Sequence, residues 1–231
     1  MSGSGGEAKR VAVDVCVLTV REGALAALLV RLPGSRWALP GAGPIDAATD
    51  PARAAVGALA STTGASGVEL EQLYTFDRPE EGAVRIAHLG LTSPERHRLS
   101  PGPEAVDVAW TDLDDLPPLG TGDREVLEHA RERVRSKATY APVAFRMLPE
   151  SFSLGEVQSV YEAILGTSLD TRNFRRDLRA SGVVERVGTA RAEGPGRPAA
   201  LYRHVPGEFA VLARERRKAR AIAASERDAG R

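Results

Sequence analysis

Four arginines, Arg172, Arg175, Arg176 and Arg179, stand at i, i+3, i+4 and i+7 and so fall on one stripe of a helix. Like charges on one stripe repel, and a single acid, Asp177, lies among them. The arrangement is costly for a plain surface helix and suits a partner carrying phosphates. Thr171 and Asn173 sit in the first turn, where a recognition helix meets base edges; Asn pairs with adenine and Arg with guanine. For a charge run alone, a solvated helix paired with acids elsewhere is the simpler explanation. The following loop shifts the weight, since Arg191, Arg197 and the glycines of Gly194-Pro-Gly-Arg-Pro198 suit a backbone approaching a groove.

A second stretch lacks the chemistry its layout suggests. From Gly43 a polar loop runs to Asp50-Pro51, and an Ala-rich helix pattern then ends at Gly64. That helix contains no Asp or Glu. Mg2+ is a hard cation that wants clustered oxygen ligands, and Ala, Val, Ser and Thr cannot hold it or activate water. No catalytic residue, metal or cofactor is therefore assigned.

Formal net charge is zero, but basic residues crowd the last third and residues 100–115 are acidic. The only cysteine, Cys16, lies in an apolar run and reads as a buried small hydrophobe. His88, His97, His129 and His204 are scattered without metal-ligand spacing. The first ten residues lack the apolar region of a secretory signal, and no stretch approaches the ~20 apolar residues of a membrane span, so a cytoplasmic protein is expected.

The elements that must position these residues follow from patterning. Residues 10–20 and 24–32 read as strands joined at Glu22-Gly23; residues 68–76, 83–92 and 106–110 are further strands. Asp50 is an N-cap before Pro51, with Gly64 as the C-cap. An amphipathic helix over 123–135 closes this segment, predicting an α/β sandwich. After a break at 136–142 the chain becomes helical. A short helix spans 142–148, and Ser153-Leu-Gly-Glu156 is a capping box. Val157, Val160, Tyr161, Ile164 and Leu165 form an apolar face that ends at Gly166. Asp170 caps a third helix, whose Phe174 and Leu178 face inward, and strands at 183–187 and 199–203 follow. Helices joined by a tight turn and followed by a hairpin make a winged helix-turn-helix. The predicted segments are a disordered N-terminus (1–8), a ligand-sensing α/β domain (9–138), a winged helix (139–207) and a basic tail or helix (208–231).

The segment from Gly43 to Gly64 resembles the Nudix signature, in which conserved glycines flank a Glu, an Arg-Glu pair and a Glu-Glu pair. Aligned on Gly43, Leu59 and Gly64, those positions hold Thr49, Gly57, Ala58, Ser61 and Thr62, so every acidic position is empty. The whole chain resembles the Nudix-related transcriptional regulators of the NrtR family. The resemblance is carried by Leu148 to Gln158, Tyr161-Glu-Ala-Ile-Leu-Gly166, Leu169-Asp-Thr-Arg-Asn-Phe-Arg-Arg176 and Gly196 to Arg203. It implies a Nudix-like α/β sandwich followed by a winged helix-turn-helix, in a homodimeric repressor or activator of NAD-metabolism genes. It also implies a palindromic double-stranded DNA operator and ADP-ribose or a related nucleotide as effector. For the ligand, Arg31, Arg36, Arg78 and Arg85 could hold a diphosphate, and Trp37 or Phe76 could stack on a base. Two alternatives share the architecture. One is an active pyrophosphohydrolase of nucleotide sugars that holds metal through Asp46, Asp50 and Glu80 or Glu81; the other is a sugar-responsive regulator.

Overall fold

A computed structural model of the chain describes residues 9–34, 36–46, 48–189 and 199–207. The chain divides into two compact units, one holding residues 26–130 with the strand residues up to Thr19, the other residues from Arg131 onward with Val20–Leu25.

The first unit is built on a mixed sheet. Strands β1 (Arg10–Arg21), β2 (Ala24–Arg31), β3 (Trp37–Ala38), β5 (Leu70–Arg78) and β6 (Ala83–Leu91) run in the order β3-β2-β1-β6-β5. β4 (Gly41–Ile45) pairs with β1, and β7 (Asp107–Asp112) pairs with β2. β1 and β6 are parallel, with Ala12 opposite Arg85 and Asp14 opposite Ala87. The β1–β2 turn is made by Glu22 and Gly23, both at positive φ. β3 and β4 were not predicted from the sequence, which placed a polar loop from Gly43 onward. Alternation on β1 sorts its side chains. Val13, Val15 and Val17 join Leu28 in a core with Ala55 and Leu59 of helix α1 (Pro51–Thr63). Ala12, Asp14 and Cys16 alternate with them toward the opposite face.

Helix α1 starts and stops as its residues dictate. Asp50 accepts from the Ala52 amide at 3.0 Å, Pro51 fills the first position, and Gly64 closes the helix in the left-handed region. At its far end the amides of Ser100 and Gly102 donate to the carbonyls of Thr63 and Thr62 at 2.9 and 3.1 Å. A Cβ on Gly102 would stand 1.6 Å from the Ser61 oxygen, so only glycine permits this approach. Helix α2 (Thr121–Ala138) begins beside β5, where Arg78 pairs with Glu125 at 2.7 Å and His129 meets the Phe76 ring edge-on at 5.2 Å.

The second unit contains a one-turn helix at Val143–Met147, then α3 (Leu154–Leu165), α4 (Thr171–Ala180) and the hairpin β8 (Val184–Thr189) and β9 (Ala200–His204). Its core holds Phe145, Phe152, Val157, Tyr161, Ile164, Phe174 and Leu178, all buried. The Ser153–Glu156 capping box is complete, the Ser153 hydroxyl accepting from the Glu156 amide and the Glu156 carboxylate accepting from the Ser153 amide. β9 is anchored to this core by two hydrogen bonds exchanged between Tyr202 and Phe152, 2.8 and 2.9 Å long. Among the described residues, no helix is long and apolar enough to cross a membrane.

Candidate DNA interface and effector cavity

Helix α4 carries the arginine stripe on a defined frame. Asp170 caps it, accepting from the Asn173 amide at 2.7 Å. Phe174 and Leu178 fix the inward face, with the Phe174 ring 5.6 Å from that of Tyr161 on α3. The turn before it is held by two residues that sequence reasoning had not singled out. Gln158 Nε2 donates to Glu162 Oε1 and to Thr171 Oγ1, each at 3.0 Å, and lies 3.3 Å from the Leu169 carbonyl. Glu162 Oε1 also accepts from the Leu169 amide at 2.8 Å. The register of α4 against α3 is thus set by a largely buried amide and a carboxylate one helical turn apart. The signal in the sequence was a polar Gln158 inside an otherwise apolar face.

The four arginines do not play one role. Arg172 and Arg179 are exposed and make no hydrogen bond or ion pair among the described residues. Arg176 is held by its own helix: Nε donates to Asp177 at 2.9 Å and Nη1 to the Asn173 side-chain oxygen at 2.9 Å. That contact orients the Asn173 side chain. Arg175 is half-buried, its Nε is shielded without a partner, and its Nη2 lies 3.4 Å from where a Cβ on Gly155 would be. The expected single exposed stripe therefore holds two cations without partners among the described residues, one positioning residue and one cation folded against the start of α3. Arg191, Arg197 and the Gly194–Pro198 loop lie outside the described residues.

In the first unit a cavity of about 650 Å³ opens beside β4. Its lining includes Gly41, Ala42, Gly43 and Pro44, where the two glycines allow β4 to press against β1. A Cβ on Gly43 would stand 2.4 Å from the Ala12 Cβ. The residue that leads the signature is thus required by packing. Three arginines, Arg10, Arg78 and Arg85, face three carboxylates, Glu80, Glu81 and Asp123, around the rim and walls. Asp14, buried on β1, holds the Arg85 guanidinium by two hydrogen bonds, and Glu81 approaches it at 3.4 Å. The hydrogen bonding to Asp14 raises the Arg85 pKa above its ordinary value. Burial pushes the Asp123 carboxyl up to about 6, helped by Asp14 and opposed by Arg85 and the Leu39 amide. Burial also raises the Cys16 thiol, which makes it inert as a nucleophile.

Of the ligand candidates, Arg78 and Arg85 line this cavity. Phe76 is buried, with the Arg78 guanidinium 5.2 Å from its ring centre. Arg31 lies over Trp37 at 5.6 Å and pairs with Asp107 at 3.2 Å, so that pair forms its own surface cluster outside the cavity lining. Arg36 is exposed and also outside the lining. Arg10 and Asp123 were missed because they are far apart in sequence and only the fold gathers them.

On α1, Ala58 and Thr62 are buried and the Thr62 hydroxyl donates to the Ala58 carbonyl at 2.7 Å. Gly57 and Ser61 are exposed, and Ser61 lies under Gly102. Thr49 precedes the cap, its amide bonded to the Asp46 carbonyl at 2.9 Å. Asp50 is committed to capping α1, whereas Glu80 and Glu81 belong to the cavity. Among the described residues no three His, Cys, Asp or Glu side chains gather as a metal site, so Asp46, Asp50 and Glu80 or Glu81 do not form the cluster the hydrolase alternative needs.

A Nudix-like mixed sheet joined to a winged helix defines a class of transcriptional regulators. Residues 144–204 match the family model of the NrtR DNA-binding winged helix domain. The chain is 30% identical over 203 residues to the "ADPR responsive transcriptional repressor NtrR" of Acinetobacter baylyi, an alignment spanning 83% of this chain and 80% of that protein. It is similar in structure to Shewanella oneidensis NrtR, with TM-score 0.72 and 30% identity over 86% of this chain and 95% of that one. The same Shewanella protein solved with a 27-mer DNA matches at TM-score 0.72 and 29% identity, covering 88% and 95% of the two chains. The chain belongs to the NrtR family of Nudix-related transcriptional regulators.

Proposed function

We propose that this chain is a homodimeric, ligand-responsive transcriptional repressor of NAD-metabolism genes. It reads a palindromic operator through α4 and senses ADP-ribose or a related nucleotide in the β4 cavity. The observation that carries the DNA reading is α4 itself. Its register is locked by Gln158 and Glu162, it presents Arg172 and Arg179, exposed and without partners among the described residues, and it displays an Asn173 oriented by Arg176. Arg172 and Arg179 serve phosphates or guanine edges, and Asn173 an adenine. The Shewanella relative solved with DNA supports this use of the second unit.

The ligand reading rests on the cavity and on the Acinetobacter relative, whose name describes a response to ADPR. Arg10, Arg78 and Arg85 are the groups that would face its diphosphate. The Nudix-like unit acts as a sensor and runs no hydrolysis. The empty acidic positions at Thr49, Ala58, Ser61 and Thr62 support this, as does the burial of two of them. A dimer fits a single winged helix, which covers only a half-site.

The test is selection of duplexes by the full chain from a random pool. The expected result is an enriched palindrome with half-sites about one helical turn or a multiple apart. Recovery of no enriched sequence overturns the DNA reading. Mg2+-dependent turnover of ADP-ribose at roughly 1 s−1 or faster overturns the sensor reading.

A further inference from the structure

The cavity beside β4 is not a simple basic pocket, and its charge balance sets a condition on any anionic ligand. Arg78 is paired with Glu125 at 2.7 Å, and Arg85 is engaged by Asp14 and Glu81. Arg10 donates to the Glu81 carbonyl at 2.5 Å and has no carboxylate partner among the described residues. Three cations thus meet three anions in the lining, with a fourth carboxylate, Asp14, beneath Arg85. A diphosphate entering this space would add negative charge to one that is already neutral or negative, unless one carboxylate gives way.

Asp123 is the carboxylate placed to do so. It sits in the first turn of α2 on the cavity wall. From β1 it faces Asp14, from β6 Arg85, and from the turn after β5 Glu81; the Leu39 amide donates to it from the link between β3 and β4. Arg78 lies over the adjacent Gly122, and Arg10 and Glu80 complete the charged lining. The helix start, the Leu39 amide and Arg85 favour the ionised form. Burial and two neighbouring carboxylates oppose it and prevail, leaving this group poised to titrate in the neutral range.

Building on the reading of this cavity as the effector site, we propose that an anionic effector enters together with one proton, taken up by Asp123. Its affinity therefore rises as pH falls from about 8 to about 5.5. Neutralised, Asp123 becomes a hydrogen-bond donor and removes one negative charge from the space the phosphates would enter, while Arg85 stays held by Asp14. The winged helix would then respond to nucleotide and acidity jointly.

The probe is ADP-ribose, whose diphosphate is esterified at both ends and so carries no ionisation of its own in this interval. Calorimetric titration of the full chain in two buffers of different ionisation enthalpy counts the protons bound. A carboxyl that titrates near 6 is protonated in about one molecule in a hundred at pH 8, so a loss of affinity of at least about tenfold from pH 5.5 to pH 8 is expected. Fractional proton uptake should accompany binding near pH 7. Asp123→Asn should bind with nearly constant affinity across the range and release or take up no proton. Should that variant fail to fold, the wild-type proton count decides alone. Binding of wild-type protein that is equally tight at pH 5.5 and pH 8 overturns the inference and leaves the sensor reading standing, as does Asp123→Asn retaining the dependence. Absence of ADP-ribose binding at every pH overturns both.

Discussion

Replacing Gln158 with Ala should release α4 from α3 without removing any residue proposed to touch DNA by its own side chain. Gln158 is only 8% exposed and donates to a hydroxyl and a carboxylate, each at 3.0 Å. A neutral hydrogen bond contributes about 1 kcal/mol net and one to a charged group about 2, so the pair is worth about 3. Water regained by Glu162 offsets part of that, leaving a local loss of about 2 kcal/mol. Hydrogen exchange read by mass spectrometry on a peptide spanning 171–180 should then quicken about thirtyfold. Binding to the selected palindrome should weaken about tenfold. Unrelated duplex, held through phosphates alone, should change less than about twofold. Gln158→Glu, which sets a second carboxylate against Glu162, should be worse on both counts. Normal exchange and unaltered discrimination in a folded Gln158→Ala protein would refute the positioning role. Faster exchange with unaltered discrimination would reduce it to a stabilising contact.

Other expectations follow from the same geometry. Arg172→Ala and Arg179→Ala, with no partners among the described residues to leave behind, should preserve stability; each that contacts a phosphate should flatten the salt dependence of binding by about one unit, and each that reads a base should relax one operator position. His204 stacks on Phe145 at 4.4 Å, its Nε2 buried without a partner among the described residues, and burial lowers its pKa. Its folded form binds a proton less readily than its unfolded form. Stability of the second unit should therefore be full above about pH 6.5 and decline as pH falls through the depressed folded value. His204→Phe should blunt that acid sensitivity in urea titrations, and equal sensitivity in both proteins would remove His204 as its source. Asp123 works in the opposite sense, its raised pKa making the first unit more stable as pH falls toward 4.

Much of the fold was legible because local signals agreed with the tertiary result. The Asp50–Pro51 start, the Gly64 stop, the Ser153–Glu156 box and the Asp170 cap all appear where their chemistry places them. β4 was not legible, since Gly-Ala-Gly-Pro-Ile has no strand pattern and is a strand only because its glycines let it lie against β1. Helix α2 extends to both sides of its predicted span, from Thr121 to Ala138, as helix ends lack strong stop signals there. The α4 face could be read because helical spacing is a local property. The cavity could not, because Arg10, Arg85 and Asp123 come from three elements and meet only through the parallel pairing of β1 with β6 and the arrival of α2. Side-chain pairing was equally hidden: the stripe of arginines was visible, but not that Arg176 is occupied with Asn173 and Arg175 is half-buried.

The central claim is that one chain joins operator recognition by α4 to occupancy of the β4 cavity. It is tested most directly by fluorescence anisotropy of the selected palindrome titrated with the full chain, with and without saturating ADP-ribose at pH 6. The account predicts at least a fivefold change in apparent Kd, corresponding to a coupling of about 1 kcal/mol or more, and its loss in Arg85→Ala. An identical Kd with and without ADP-ribose, in protein shown by calorimetry to bind it, would contradict the account.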